Sequence, residues 1–281
     1  MFSANGEYVL GGGEDGIRVW QVQDSKQIAT MEARGVLCLA VSGDGKWIAA
    51  GTSLGDVVVW DAETYKPASA HKGSDYINGV DFSPDSTRLI SASDSRTATV
   101  WDVAAGTRIQ TLLHKDSVIA VKYSPHGDRI ATATSRSVHV HDSGDGRLLV
   151  DFAVDVTPWY NTGLLWFNDH LLVVSDGIIK QFEAGSRVSE WPVPDTNPSS
   201  CIALPNRGEF VAYSSADRTV TFWDTSTHTK LGLIEHPKHI RAIALSPDDQ
   251  FIAIGGWRGK IIIESLSLIA VSSVYCWTTA I

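Results

Sequence analysis

One short stretch, an alternating apolar run that ends in an aromatic and an acidic residue, recurs along the chain at an almost constant spacing. It reads VVVWDA at 57–62, TATVWDV at 97–103 and TVTFWDT at 219–225. If the aromatic position is taken as a marker, successive markers lie 40 or 41 residues apart, at Trp20, Trp60, Trp101, His141, Phe182, Trp223 and Glu264. A turn-forming cluster such as SGDGKW or SPDSTR precedes the markers in the same register, so two independent signals define seven repeats.

Each repeat has the two-residue periodicity of β-strands. In the third repeat, YINGVDF, RLISAS, TATVWDV and TRIQTLL are short runs separated by Asp, Gly, Ser and Pro. Four such strands cannot bury both faces of their own sheet, whereas sheets stacked radially around an axis cover one another. The sequence therefore predicts an all-β, seven-bladed β-propeller of four-stranded antiparallel blades, at about 1–33, 34–73, 74–115, 116–155, 156–196, 197–237 and 238–273.

The period of about 40 residues and the Trp-Asp pairs resemble the WD-repeat (WD40) β-propeller family over essentially the whole chain. The resemblance implies that the third-strand Trp joins a network with a turn Asp, a second-strand Ser or Thr, and a His from the preceding loop. The positions that match parts of this structural network are Trp20, Trp60, Trp101, His141, Asp217, Trp223, His71, His114 and His236. No repeat contains the complete set, so we expect the blades to depend more on apolar packing than on buried polar networks.

The first repeat begins inside its own innermost strand, because Met1 aligns with Asp81 of the third repeat. An uncovered strand edge leaves backbone donors and acceptors unpaired. The segment VYCWTTA at 274–280 has the apolar pattern of VLCLAVS at 36–42, the innermost strand of the second repeat. We therefore expect residues 274–281 to complete the first blade, so that the N- and C-terminal segments close the ring. The alternative is that the missing strand precedes Met1.

Charge restricts the class of partner. The formal net charge of -9 and the isoelectric point of 5.4 disfavour non-specific binding to nucleic acid and docking on anionic membranes. The N-terminal MFSANGEYVL lacks the charged and apolar regions of a secretory signal, and the three Cys form no spaced pair. We predict an intracellular protein, cytoplasmic or nuclear, whose partners include neither nucleic acid nor membrane.

Two stretches invite the assignment of a small-molecule site. GGGEDG at 11–16 has the glycines of a phosphate-binding loop but lacks its Lys and the helix that should follow. VHVHD at 138–142 places His139 and His141 on one strand face, but no third His, Cys or Glu close by in the sequence completes a metal site. The sequence motifs of nucleophilic and metal-dependent hydrolases are also missing. We therefore predict no catalytic residue, no cofactor and no metal.

The alternating strand direction sorts the loops onto two faces. The turns between first and second strands and the loops after the markers share one face, which should be acidic. The loops that enter the innermost strands share the narrower face with the turns between second and third strands, and this face gathers residue types that dominate binding hot spots. The predicted partner-binding set there is Lys72, Tyr76, Lys115, Trp159, Tyr160, His239, Arg241, Trp257 and Arg258. Trp166, in the fifth innermost strand, either narrows the central channel or compensates for the lack of a Trp at 182.

These features favour a non-catalytic scaffold or adaptor that presents a propeller face to a protein or peptide partner. It would act as a monomer or as a subunit of a hetero-complex. One alternative is a regulatory or sensor module of a larger signalling protein, because the chain starts inside a repeat. A further alternative is a propeller enzyme, such as a quinone-dependent dehydrogenase or a hydrolase, although a fold by itself establishes no activity.

Overall fold

The computed structural model describes residues 1–73, 75–154, 163–175, 178–183, 186–192, 201–214, 217–257 and 259–268. The described elements are β-strands except for one short 3-10 helix at Leu266–Leu268. Among these residues no helix is long and apolar enough to cross a bilayer. The strands form seven antiparallel sheets that follow one another along the chain.

The first sheet has three strands and the next two have four each. The first contains β1 (Tyr8–Gly13), β2 (Gly16–Gln21) and β3 (Gln27–Met31). The second contains β4 (Val36–Val41), β5 (Trp47–Thr52), β6 (Asp56–Asp61) and β7 (Pro67–Lys72). The third contains β8 (Ile77–Phe82), β9 (Arg88–Ser93), β10 (Thr97–Asp102) and β11 (Thr107–Leu113).

The next three sheets are four-stranded and the last has three described strands. The fourth contains β12 (Val118–Tyr123), β13 (Arg129–Thr134), β14 (Ser137–Asp142) and β15 (Leu148–Ala153). The fifth contains β16 (Leu164–Phe167), β17 (His170–Ser175), β18 (Ile178–Glu183) and β19 (Ser186–Pro192). The sixth contains β20 (Ile202–Ala203), β21 (Phe210–Ser214), β22 (Thr219–Asp224) and β23 (Lys230–Glu235). The seventh contains β24 (Ile240–Leu245), β25 (Phe251–Gly256) and β26 (Ile261–Ser265).

The markers occupy one structural position. In the first six sheets the marker is the fifth residue of the strand next to the outermost one, and it pairs with an apolar residue of the strand before it, as Trp60 does with Ile48. The pairing with the outermost strand shifts by one residue immediately before the marker in all six of these sheets, for example between Val59 and Trp60. In such a β-bulge, two residues of one strand lie opposite one residue of its partner. Its recurrence shows that the repeats are copies of one unit.

The turn between the first two strands of a repeat is closed by a serine. In the third sheet, Ser83 donates a hydrogen bond to the Asp85 carboxylate and accepts one from the backbone N–H of Arg88 at 2.9 Å. Ser42 with Asp44 and Ser246 with Asp248 make the same arrangement in the second and seventh sheets. These side chain to backbone bonds are the physical reason why Ser-x-Asp clusters recur in the sequence.

The core lies between sheets rather than within them. Seven clusters of buried apolar side chains fill the spaces between consecutive sheets, and the seventh cluster joins the last sheet to the first. That last cluster contains Phe2, Val9 and Ala253, with Phe251 and Ile261 packed against it. The ring is therefore closed by apolar packing between sheets one and seven. The predicted seven-bladed β-propeller is confirmed.

Among the described residues, the first blade has only the end of its innermost strand. Phe2 forms an isolated antiparallel bridge with Val9, and the backbone N–H of Leu10 donates to the Met1 carbonyl oxygen at 2.8 Å. The expectation that residues 274–281 complete this strand concerns residues outside the described ranges.

Candidate functional site

The third sheet has the fullest version of the predicted network. The indole N–H of Trp101 donates to the hydroxyl of Ser91, in the second strand, at 2.9 Å. His71, in the outermost strand of the preceding sheet, stacks on Trp101 with ring centroids 4.3 Å apart and an interplanar angle of 15°. Ser95, at the place of the turn Asp, bonds to Ser93 instead. The histidine thus contributes ring packing to this site.

The other tryptophan markers have different surroundings. Trp60 is fully buried between the first two sheets, and Trp20 packs across its strand pair on Gly11. Trp223 donates its indole N–H to Thr221 in the same strand at 3.1 Å. Asp217, at the turn position, accepts hydrogen bonds from the backbone and hydroxyl of Thr219. Trp223 and Asp217 therefore each bond to a nearby threonine of β22.

Three histidines meet on the fourth sheet. His139 and His141 project from β14, and His114 comes from the loop before β12. Ring centroids are 5.0 Å apart for His114 and His139, 5.6 Å for His114 and His141, and 6.1 Å for His139 and His141. The fold therefore brings a third histidine, His114, to this pair from a distant part of the sequence. The signal that could have found it is that His114 and His141 occupy two positions of the same family network.

The histidine cluster is arranged for packing. Nε2 of His114 lies 2.8 Å from the Thr132 hydroxyl, and Nδ1 of His141 lies 3.2 Å from the Gly146 carbonyl oxygen. No group of three or more His, Cys, Asp or Glu side chains in the described part of the chain is arranged to hold a metal ion. Burial, and then the positive charges that His139 and His141 would acquire, lower the pKa of His114 to about 4. Burial also lowers the pKa values of His139 and His141.

His236 anchors the loop that leads into the seventh sheet. Its Nδ1 lies 2.7 Å from the Lys238 carbonyl oxygen, and its ring is buried. A Cβ atom at Gly256 would lie only 2.1 Å from Cε1 of this ring, so only glycine fits there. His236 thereby fixes the loop against the turn between β25 and β26.

The loops of one face are tied together in pairs by backbone hydrogen bonds. In the seventh sheet the N–H of Trp257 donates to the His239 carbonyl oxygen at 2.8 Å, and in the third sheet Asp94 donates to Tyr76 at 3.0 Å. Each bond joins the loop that enters an innermost strand to the turn between second and third strands. We call the face formed by these loops and turns the loop face.

Part of the predicted partner-binding set forms one compact cluster on the loop face. The guanidinium carbon of Arg241 lies 5.0 Å from the centre of the Trp257 ring, which is cation–π geometry. The His239 ring lies 6.4 Å from the same indole. All three side chains are exposed, and 56% of Trp257 is accessible to solvent. We call these residues the Trp257 cluster.

The other members of the predicted set do not join this cluster. Lys72, Tyr76 and Lys115 are exposed on the loop face of sheets two to four. Trp159, Tyr160 and Arg258 lie outside the described residues. The loop face also exposes three leucines that the sequence analysis passed over, Leu37, Leu54 and Leu113. At Leu54 the signal was an apolar residue in a turn where the third repeat has Ser95.

The opposite face differs in chemistry. Its turns expose no large hydrophobic side chain among the residues that the structure describes. Several carboxylates on this face accept hydrogen bonds within their own turns. The Ser226 hydroxyl and the Thr227 and Ser226 backbone amides donate to Asp224 and lower its pKa to about 2. Asp61 and Asp142 each accept equivalent hydrogen bonds from the backbone amides two and three positions further along the chain. These carboxylates therefore have a structural role in the turns.

Known proteins resemble this chain in sequence and in fold. It is 26% identical over 234 residues to the U3 small nucleolar RNA-associated protein 15 homolog of Xenopus laevis, an alignment that spans 81% of this chain but only 45% of that protein. It is 22% identical over 267 residues to the guanine nucleotide-binding protein subunit beta of Schizosaccharomyces pombe, covering 91% of this chain and 87% of that protein.

Among solved structures, Kuenenia stuttgartiensis hydrazine synthase superposes with a TM-score of 0.83 at 16% identity, over 95% of this chain and 94% of that one. At that identity the likeness concerns the fold alone. The family model described as WD domain, G-beta repeat, matches residues 25–61, 64–102, 106–142, 189–224 and 227–263. Because these matches cover about two thirds of its residues, the chain belongs to the WD40 repeat family.

Proposed function

We propose that this propeller is a non-catalytic scaffold that binds a protein partner on its loop face, as a subunit of a larger assembly. The observation that supports this most directly is the Trp257 cluster, in which an exposed indole, a guanidinium and an imidazole lie side by side. Trp and Arg are the residue types that most often dominate the binding energy of protein interfaces.

Some exposed apolar side chains lie on the same face. Leu37, Leu54, Tyr76, Leu113 and Trp257 are exposed at its loops and strand ends, and Leu113 is 81% accessible. Most other exposed apolar side chains, such as Leu148 and Leu231, lie on outermost strands. The name of the Schizosaccharomyces relative describes a subunit, which agrees with a role within an assembly. We infer an intracellular location, because the name of the Xenopus relative refers to a small nucleolar RNA.

The test is affinity purification with the whole chain as bait, followed by quantitative mass spectrometry. The double variant Trp257→Ala, Arg241→Ala should bind its specific partner at least about 30-fold more weakly, since hot-spot truncations cost about 2 kcal/mol or more of binding free energy. Both side chains are exposed, so the fold should remain intact. The matched control is His126→Ala, Arg147→Ala, which removes one ring and one cation from the opposite face.

A photo-crosslinking residue at position 257 should capture the same partner, and one at position 126 should not. If the partner is retained by the Trp257 double variant and lost by the control pair, the loop face is not the binding face. If the purified protein turns over a substrate, and a substitution in one of its own residues removes that activity, the non-catalytic assignment is wrong.

A further inference from the structure

The fourth and fifth sheets line an open cavity of about 210 Å3. Its walls are aromatic and aliphatic: Phe152, Trp166 and Phe182 supply rings, and Val140, Leu149, Val150 and Leu171 supply the aliphatic surface. Arg129 and Asp169 are the two charged residues of its lining. The cavity is thus an apolar space with polar groups at only a few points, and the loop face has no part in it.

The internal repeat explains why space remains here. In the third sheet the marker Trp101 stacks on His71, which pairs across its sheet with Val57. In the fifth sheet the marker Phe182 stacks on Phe152 at 4.0 Å, and Phe152 pairs with Val138 in the same register. The two ring pairs are equivalent, but a phenyl ring at the marker is smaller than an indole. The cavity lies beside this smaller ring.

Trp166 only partly fills the space. Its indole N–H lies 3.4 Å from the Lys122 carbonyl oxygen, and its ring packs against the cluster between sheets four and five. Of the two roles considered for Trp166, the structure therefore supports compensation for the missing Trp at 182. The compensation is incomplete, because the same indole forms part of the cavity wall.

We infer that this cavity is a binding site for one neutral planar aromatic ring, between benzene and indole in size. An apolar cavity of about 150 Å3 lined by Leu, Ile and Phe is large enough to bind benzene, so this cavity has room for a ring of that size. Three aromatic walls can hold a ring in the offset or edge-on contacts that aromatic pairs prefer. Arg129 and Asp169 offer a donor and an acceptor to a polar group attached to the ring. The ring is supplied either by a free small molecule or by an aromatic side chain of a peptide.

Indole and N-acetyl-tryptophanamide are the probes for these two sources. Each is titrated against the whole chain while the melting temperature and the indole ¹⁵N–¹H resonance of Trp166 are followed. A ligand that binds only the native state raises the melting temperature with its concentration. We expect a saturable rise and a shift of the Trp166 resonance. Tighter binding of the free ring indicates a small molecule, and tighter binding of the amide indicates a peptide.

The decisive variant is Phe182→Trp, which places the repeat's own indole at the marker and should abolish the rise and the resonance shift. If that variant does not fold, Val140→Phe fills the same space from the opposite wall. The control is Trp257→Ala, which removes an exposed ring elsewhere and should leave both signals unchanged. Absence of saturable binding to the folded wild type, or equal binding by the filled variants, would overturn the inference.

Discussion

The marker position shows how a single packing site accommodates very different residues. It contains a fully buried indole at Trp60, a stacked and hydrogen-bonded indole at Trp101, an imidazole at His141 and a phenyl ring at Phe182. In the third and fifth sheets a ring from the preceding sheet stacks on the marker, His71 in one case and Phe152 in the other. In the first six repeats, what is retained is therefore a planar ring that is at least partly buried, and the hydrogen-bond network around it varies.

Acid should destabilise the protein through the histidines of the fourth sheet. His114 has a folded pKa of about 4, below its ordinary value of 6.5, so the unfolded state binds more protons between these pH values. Stability is therefore fully present above about pH 6.5 and falls as the pH decreases toward 4. Asp151 raises the pKa of His139 and Lys115 lowers it, but burial is the largest cause. The urea midpoint should be lower at about pH 5 than at about pH 7.5.

Replacing one histidine of the fourth sheet shows whether these histidines cause the acid sensitivity. His141→Trp restores the indole of the other repeats and removes one titrating ring, so the fall in the urea midpoint should shrink. His126→Gln changes an exposed histidine of the same sheet and should leave the fall unchanged. An equal fall in wild type and in His141→Trp would show that other groups cause the acid sensitivity.

At the scale of the element, a serine closes the first turn of the second, third and seventh repeats. Ser83 is buried and bonds both to Asp85 and to the backbone N–H of Arg88. Ser83→Ala leaves the partly buried backbone N–H of Arg88 without its acceptor, and leaving a buried donor unsatisfied costs about 1–3 kcal/mol. We expect a drop of that size in the free energy of unfolding by urea.

The equivalent changes Ser42→Ala and Ser246→Ala should have similar costs, since the same bonds occur in the second and seventh sheets. The costs of Ser83→Ala and Ser246→Ala should add, because these turns lie in non-adjacent sheets. The control Thr30→Ala removes an exposed hydroxyl from β3 and should change the free energy by about 0.5 kcal/mol or less. If none of the three serine variants measurably lowers the free energy of unfolding, water replaces the lost hydrogen bonds.

The elements were more predictable from the sequence than the contacts between them. Period-two strands and Ser-x-Asp turns are local, so the repeat length defined the number of blades and the face on which each loop lies. The Trp257 cluster joins a loop and a turn through ring contacts, which depend on side-chain rotamers that no spacing encodes. The cavity beside Phe182 was equally unpredictable, because a void depends on how completely Phe152 and Trp166 fill the space.

The whole molecule depends on the contact between its first and last sheets. Each sheet covers its neighbours, so an open ring would expose the apolar surfaces of two sheets at once. Phe2 belongs to the first blade and is buried against the seventh sheet. This side chain is therefore a structural part of the ring.

Phe2→Ala tests this closure. Truncating a buried Phe costs about 3–5 kcal/mol, and in a closed ring the cost should lower the urea midpoint for the whole molecule while the transition remains single and its slope unchanged. Phe82→Ala is the matched reference, because Phe82 is similarly buried between the second and third sheets. Comparable losses for the two variants mean that the first and last sheets contribute as much to the native state as an interior pair. A loss below about 1 kcal/mol for Phe2→Ala beside a full loss for Phe82→Ala would mean that the ring is open in solution, since a frayed side chain has little stability to lose.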